Sequence, residues 1–338
     1  MTDKNRPADW PGPGDLEKPT LKEMFAKKRH LGSAIDARVM PYVGIAGFTD
    51  PHEVRGIAGD LYTMNSYGTP EVGGRRLAPG VLVSWKTLNG EPAGNPERYP
   101  RIEDVRALLD AAAEPIRHCS PGLGQTEPVG TPLAIENRTL RLIHYNSREP
   151  NLVAQVDRLC EIAGPNLQGF QFNIAWPTTE DIREIAQEHP TLRFVLQVNR
   201  RMFANVKRDP QLLAYVLRKK YGASVTDYLF DMSAGSGAAI DMQEAETVVA
   251  ALYDEFGGAT KGGTGIGIAG GLDYKNVYGL KPFFDRWPDL SIDAEGRVRD
   301  SYVNAKKETV TYINENAREF ARRGIALALG SARTQTTP

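Results

Sequence analysis

Eight short apolar runs, each followed by a polar or helix-period stretch, are the strongest constraint on what this chain can fold into. The runs are "MPYVGIAG", "GVLVSW", "LRLIHYN", "GFQFNIAW", "RFVLQVN", "DYLFDMS", "GIGIAGG" and "DLSIDA". Between them lie amphipathic segments such as "RIEDVRALLDAAAEPI", "PNLVAQVDRLCEIAG", "TEDIREIAQEHP", "DPQLLAYVLRKKYG", "DMQEAETVVAALYDEFG" and "VNAKKETVTYINENAREFARR". Such alternation predicts parallel strands joined by crossover helices. Eight units in a chain of 338 residues match a closed (β/α)8 barrel, the TIM-barrel architecture. An open doubly wound sheet, the competing α/β fold, has fewer strands and a clearer cofactor loop. The expected organisation is a single barrel over residues 40–323. A proline-rich arm and a short helix, "LKEMFAKKRHLGSAI", occupy residues 1–39, and residues 324–338 form a tail.

Charge and cysteine usage narrow the partners. Lysine plus arginine number 41 against 42 aspartates and glutamates, so no net field draws in nucleic acid or an anionic membrane surface. The two cysteines, Cys119 and Cys160, form neither a metal-ligand spacing nor a disulfide framework, which suits a reducing compartment. The opening twenty residues lack the apolar core of a signal peptide, and no apolar run approaches the ~20 residues of a membrane helix. The expectation is a cytoplasmic protein with a small-molecule ligand, no nucleic-acid or membrane partner, no metal and no cofactor. Its oligomeric state stays open.

In such a barrel the chemistry sits where strands end and βα loops begin. The polar residues there are Thr49 and Asp50, Lys86, His144 and Asn146, Gln171 and Asn173, Gln197 and Asn199, Asp231, and Asp293 with Glu295. Spacing by two places His144 with Asn146, Gln171 with Asn173 and Gln197 with Asn199 on a common face of each strand. Amides donate and accept, so a ring of them suits a hydroxyl-rich ligand better than a bare anion. Taken singly, each also reads as a helix cap or as a partner for buried backbone. Two glycine loops, Gly235-Ser236-Gly237 and Gly270-Gly271, offer backbone N–H groups to an anion if each opens a helix. Neither matches a nucleotide-binding fingerprint. Asp231 stands apart from the helix expected near Asp241, and Asp241 fills the capping role better.

The order of these motifs resembles the phosphoribosylanthranilate isomerases of tryptophan biosynthesis over most of residues 40–320. "GFTDPHEV" is similar to that family's G-[IL]-T-x-P-E-D-A, and "NPERYPRIEDVRALL" to its S-P-R-Y-V-x-P-E-x-A. The stretch from "LRLIHYN" to "GFQFN" resembles V-G-V-F-V-N through V-Q-L-H-G. "LFDMSAGSGAAID" is similar to L-L-D-S…G-G-T-G-K-x-F-D, "GIAGGLDYKNV" to L-A-G-G-L-x-P-x-N-V, and "SIDAEGRVRD" to V-D-V-S-S-G-V-E…K-D. "AGGLDYKNV" is the most specific single piece. The resemblance implies an Amadori-type isomerisation of a phosphorylated aminosugar without metal or cofactor. A cysteine on strand one would be the general base and an aspartate on strand six the general acid, the position held here by Asp231. The candidate substrate contacts are the strand-end residues Asn146, Gln171, Asn173, Asn199, Asp293 and Glu295 with Arg98. A phosphate is expected at the loop glycines and serine Gly235, Ser236, Gly237, Gly270 and Gly271 and at Gly296, the stretches that match the family's phosphate loops. The chain departs from the pattern at four places. Ala46 stands at the base position, Asn173 replaces the histidine of Q-L-H-G, Ala238 replaces the loop lysine, and Ala294-Glu295-Gly296 replaces S-S-G. A glutamate in a phosphate turn requires a neutralising arginine, such as Arg297 or Arg299.

Three functions follow from these residues. One is an enzyme on a sugar or sugar phosphate that keeps Asp231 as acid and takes another base, with His144 the candidate because an unperturbed imidazole titrates near neutrality. Another is a Schiff-base aldolase on Lys86, whose amine would be activated by burial at the strand end. The last is a non-catalytic barrel that binds a metabolite or a partner, consistent with the absent base and the glutamate in the anion turn.

Overall fold

The computed structural model describes residues 40–65, 75–93, 97–114, 139–173, 176–231, 240–259, 263–304, 307, 309–313 and 315–335. The N-terminal arm and its expected helix lie outside them. Eight parallel strands close into one barrel in sequential order. They are β1 (Tyr42–Ala46), β2 (Arg76–Ser84), β3 (Leu142–Asn146), β4 (Gly169–Phe172), β5 (Arg193–Asn199), β6 (Asp227–Asp231), β7 (Gly265–Ala269) and β8 (Ser291–Ala294). Each coincides with one of the eight apolar runs. β2 begins earlier than its apolar run, at Arg76, and carries Pro79 within it. The missing N–H of Pro79 is tolerated because the β2–β3 ladder is a bridge at Leu77 and then resumes at Gly80.

Alternation along the strands divides the side chains between two cores. Tyr42, Ala78, Leu140, Leu142, Val195, Leu229 and Ala269 form a small cluster inside the barrel. The opposite faces, including Ile143, Tyr145, Phe170, Phe172, Phe194 and Phe230, pack into the larger core beneath the helices. Phe170, Phe172 and Phe194 stack in a row on that outer face, with ring centroids 6.1 and 6.3 Å apart. The barrel interior is crowded, and glycines make the room. A β-carbon on Gly80 would overlap the His144 ring, and one on Gly44 would overlap the Asp293 carboxyl.

Helices follow the amphipathic segments, with caps where the sequence places them. Thr178 accepts from the Asp181 N–H at 3.0 Å ahead of helix Thr179–Glu188. Asp209 caps Pro210–Tyr221, and Asp241 caps Met242–Phe256 by accepting from the Glu244 N–H at 3.0 Å. Two expectations are corrected near the C-terminus. The segment read as one helix from Val303 contains a strand, β10 (Thr309–Ile313), paired antiparallel with β9 (Arg299–Val303). Its β-branched and aromatic run, Thr-Val-Thr-Tyr-Ile, prefers a pleated surface. The chain also does not become a tail after Arg323. A helix runs Glu315–Gln335, held to the barrel by Phe320, Ile325 and Ala328, all fully buried. Among the described residues, no helix is long and apolar enough to cross a membrane.

Candidate functional site

A cavity of about 80 Å³ opens at the C-terminal ends of the strands. It reaches from Gln171, Asn173 and Gln197 on one side to Asp231 and Asp293 on the other, under a rim that includes Gly270, Gly271 and Gly296. A volume this small accommodates the reacting end of a metabolite, well below the ~300–1,000 Å³ of a site that engulfs a drug-sized ligand.

Two carboxylates face this cavity from inward positions of β6 and β8. Asp231 ends β6, is 4% exposed, and accepts a hydrogen bond from the Gln197 side-chain amide. Asp293 lies beside Gly44 in the strand register and is 5% exposed. Burial pushes its carboxyl up to about 7; the negative charge of Asp231 adds to that, while the Gln171 amide, 3.4 Å away, and the Ala294 N–H act in the opposite direction. Asp293 Oδ1, Gln171 Oε1 and Asn173 Oδ1 are buried oxygens with no hydrogen-bond partner among the described residues. The orientation of Gln171 follows from its neighbour, since its Nε2 is the atom that can donate to Asp293. Three acceptors without donors around one cavity call for a ligand that brings hydroxyl or amine hydrogens.

The remaining expected site residues separate into those at the cavity and those elsewhere. Arg98 and Glu295 line it together, but as an ion pair with each other. The neutralising arginine for the glutamate is therefore Arg98. Arg297 lies 3.5 Å from Asp273, and Arg299 donates to the carbonyls of Gly47 and Glu97. Gly270 and Gly271 adopt positive φ of 108° and 59°, the left-handed region glycine tolerates. They do not open an α-helix. Asp273 accepts from the N–H groups of Lys275 and Asn276, Asn276 donates to the Gly271 carbonyl at 2.7 Å, and a 3₁₀ turn follows at Val277–Leu280. Gly296 begins another 3₁₀ turn. Gly235, Ser236 and Gly237 lie outside the described residues.

Four expected residues do other work. His144 is inside the barrel, 2% exposed, with its ring against Gly80, and burial alone pushes its imidazole down to about 3. It is a neutral packing residue and not the base near neutrality that its residue type suggested. Lys86 is exposed on the short helix Trp85–Leu88, because Ser84 caps that helix and turns the chain outward after β2. The burial required of a Schiff-base lysine is absent. Asn199 accepts from the Met202 N–H at 3.1 Å and caps helix Arg200–Asn205. Asn146 donates to the Tyr99 hydroxyl at 2.7 Å and does not line the cavity. Gln197, grouped with Asn199 by spacing, is the β5 amide that reaches the cavity. Burial of the β8 position decides the importance of Asp293, and Tyr99, the neighbour of Arg98 in "NPERYPRIEDVRALL", partners Asn146 across 47 positions, a pairing no spacing in the sequence marks.

No family model matches the chain, and no curated protein matches it. Among solved structures it is similar to the Rubisco-like protein from Rhodopseudomonas palustris, at 15% identity and a TM-score of 0.46, covering 85% of this chain and 64% of that one. The chain thus spans just under two thirds of that protein's length. It is also similar to the catalytic domain of the chitinase from Pyrococcus furiosus, at 11% identity and 0.46, covering 86% and 97%. A third likeness is to tryptophan synthase from Mycobacterium tuberculosis, at 14% identity and 0.43, covering 88% and 94%. At these values none of the three carries an activity over. The barrel assignment rests on this chain's own strand order and register.

Proposed function

We propose that the protein is an acid–base enzyme that isomerises a small hydroxyl-rich metabolite, of the sugar or sugar-phosphate class, with Asp231 and Asp293 as the proton-transferring pair. The observation that carries this reading is the Asp293 carboxyl, held near 7 by burial and facing the same cavity as Asp231. Proton transfer at neutral pH needs two groups in different protonation states, and separate environments supply them. Asp293 in its acid form donates to a substrate oxygen while Asp231 removes a proton from the adjacent carbon. Return of a proton to the neighbouring carbon and of one from oxygen to Asp293 completes the isomerisation and restores both carboxyls. In the resemblance to phosphoribosylanthranilate isomerases, Asp231 is the acid and a cysteine the base. Here Ala46 offers no proton acceptor, and a second carboxylate on β8, adjacent to β1, supports a two-aspartate arrangement in its place. Gln171 and Asn173, with their unpartnered oxygens, would receive substrate hydroxyls.

A non-catalytic metabolite-binding barrel is the second reading, favoured by Ala46 and by the engagement of Arg98 with Glu295. Screening phosphorylated and free aldoses and ketoses for both binding and solvent deuterium incorporation separates the two. Exchange of a carbon-bound hydrogen that is lost in Asp231→Asn supports the enzyme. Binding without exchange in the wild type supports the binding barrel.

A further inference from the structure

The opposite end of the barrel holds a second group of buried charges that the cavity does not use. Arg76 starts β2 in the inward register of Ala78 and Gly80, and Arg193 starts β5 in the inward register of Val195. Arg76 is 8% exposed, Arg193 6% and Asp227 2%. Arg193 engages both oxygens of Asp227, through Nε at 3.0 Å and through a terminal nitrogen, gives another bond to the Met40 carbonyl at 2.8 Å, and lies over the Tyr42 ring. The hydroxyl of Thr226 completes the carboxylate at 2.7 Å. Asp227 is thereby matched. Arg76, the direct strand neighbour of Tyr42, is not matched: its Nε is buried with no hydrogen-bond partner among the described residues. Arg141, the third arginine at this end, is directed to the Asn166 carbonyl and the Thr139 hydroxyl.

We propose that Arg76 is the anchor of an anion site at the N-terminal end of the barrel, taking a compact carboxylate. A guanidinium offers Nε and a terminal nitrogen as a fork that matches two carboxylate oxygens. Arg193 is matched by Asp227, while Arg76 feels the like charges of Arg193 and Arg141, so an added negative charge is favoured beside it, whereas a buried charge left without a partner is costly. The cost is visible in Arg76 itself, whose guanidinium is pushed down to about 10 by burial and then by the charges of Arg193 and Arg141. The site is separate from the cavity at the C-terminal ends and does not depend on the activity proposed there.

The test is thermal unfolding of the full chain in acetate against chloride at equal ionic strength, for wild type, Arg76→Met and Arg297→Met. The wild type is expected to gain about 2 °C or more at saturating acetate, since a ligand that binds only the folded state stabilises it. Arg297→Met, at the cavity rim, should keep the gain and Arg76→Met should lose it. If Arg76→Met does not fold, Arg76→Lys retains the charge without the fork and should show a reduced gain. No acetate-specific gain in the wild type, or a full gain in the folded Arg76 variant, overturns the proposal.

Discussion

The two ends of this barrel are both polar inside, and they solve the burial of charge in opposite ways. At the N-terminal end, Arg193 and Asp227 neutralise one another through two hydrogen bonds, and a hydroxyl and a backbone carbonyl take the remaining capacity. At the C-terminal end, two carboxyls, Asp231 and Asp293, face a common cavity, and three oxygens around it, of Asp293, Gln171 and Asn173, have no hydrogen-bond partner among the described residues. Arg193 and Asp227 are a matched pair; at the cavity, burial first and then the charge of Asp231 push the Asp293 carboxyl up to about 7. In the proposed function, the mismatch at the cavity is what sets the two carboxyls to different tasks.

Breaking the comparison at the cavity should produce the largest effect. Asp231→Asn and Asp293→Asn are each expected to lower turnover by ~10²–10⁴-fold, measured as kcat on the substrate found by the exchange screen, with cooperative unfolding retained in both. Breaking it at the other end should reverse that pattern. Asp227→Asn leaves Arg193 buried without its carboxylate and should destabilise the protein by ~3–5 kcal/mol in urea unfolding. Catalysis by the folded fraction should stay close to that of the wild type.

A smaller effect sharpens the contrast through pH. Asp293 binds its proton more tightly folded than unfolded, so stability is expected to fall as pH rises from the ordinary aspartate range near 4 towards about 7. Asp293→Asn removes that dependence and should stabilise the protein at pH 8 by up to about 4 kcal/mol, three pKa units at 1.36 kcal/mol each. A variant both inactive and more stable is the signature of a carboxylate retained for function. Gly80→Ala forces the His144 ring aside and should cost ~1–3 kcal/mol. Asp241→Ala removes a helix cap and should cost ~1 kcal/mol, with activity preserved in both.

The barrel was legible in the sequence because its signals are periodic and local. Eight apolar runs gave eight strands, and Thr178, Asp209 and Asp241 stand immediately before the helices they cap. The site was legible only as a set of strand ends. Spacing by two correctly put Gln171 and Asn173 on one face, yet it could not tell Gln197, which reaches Asp231, from Asn199, which caps a helix one step further on. His144 shows the limit most clearly. Its residue type suggested a base near neutrality, whereas depth inside the barrel, a property of closure, holds it neutral. The hairpin of β9 and β10 was missed because a stretch of alternating threonine, valine and tyrosine sits directly before a strong helix-period pattern.

The central claim is that Asp293 holds a proton near neutrality because it is buried beside a charged Asp231. A ¹³C NMR titration of the aspartate side-chain carboxyls, with Asp293→Asn used to assign the resonance, measures this directly. The account predicts a midpoint for Asp293 near 7 in the wild type and a lower one, still above the ordinary aspartate value, in Asp231→Asn. A wild-type midpoint near 4, or one that does not move when Asp231 is neutralised, would contradict it.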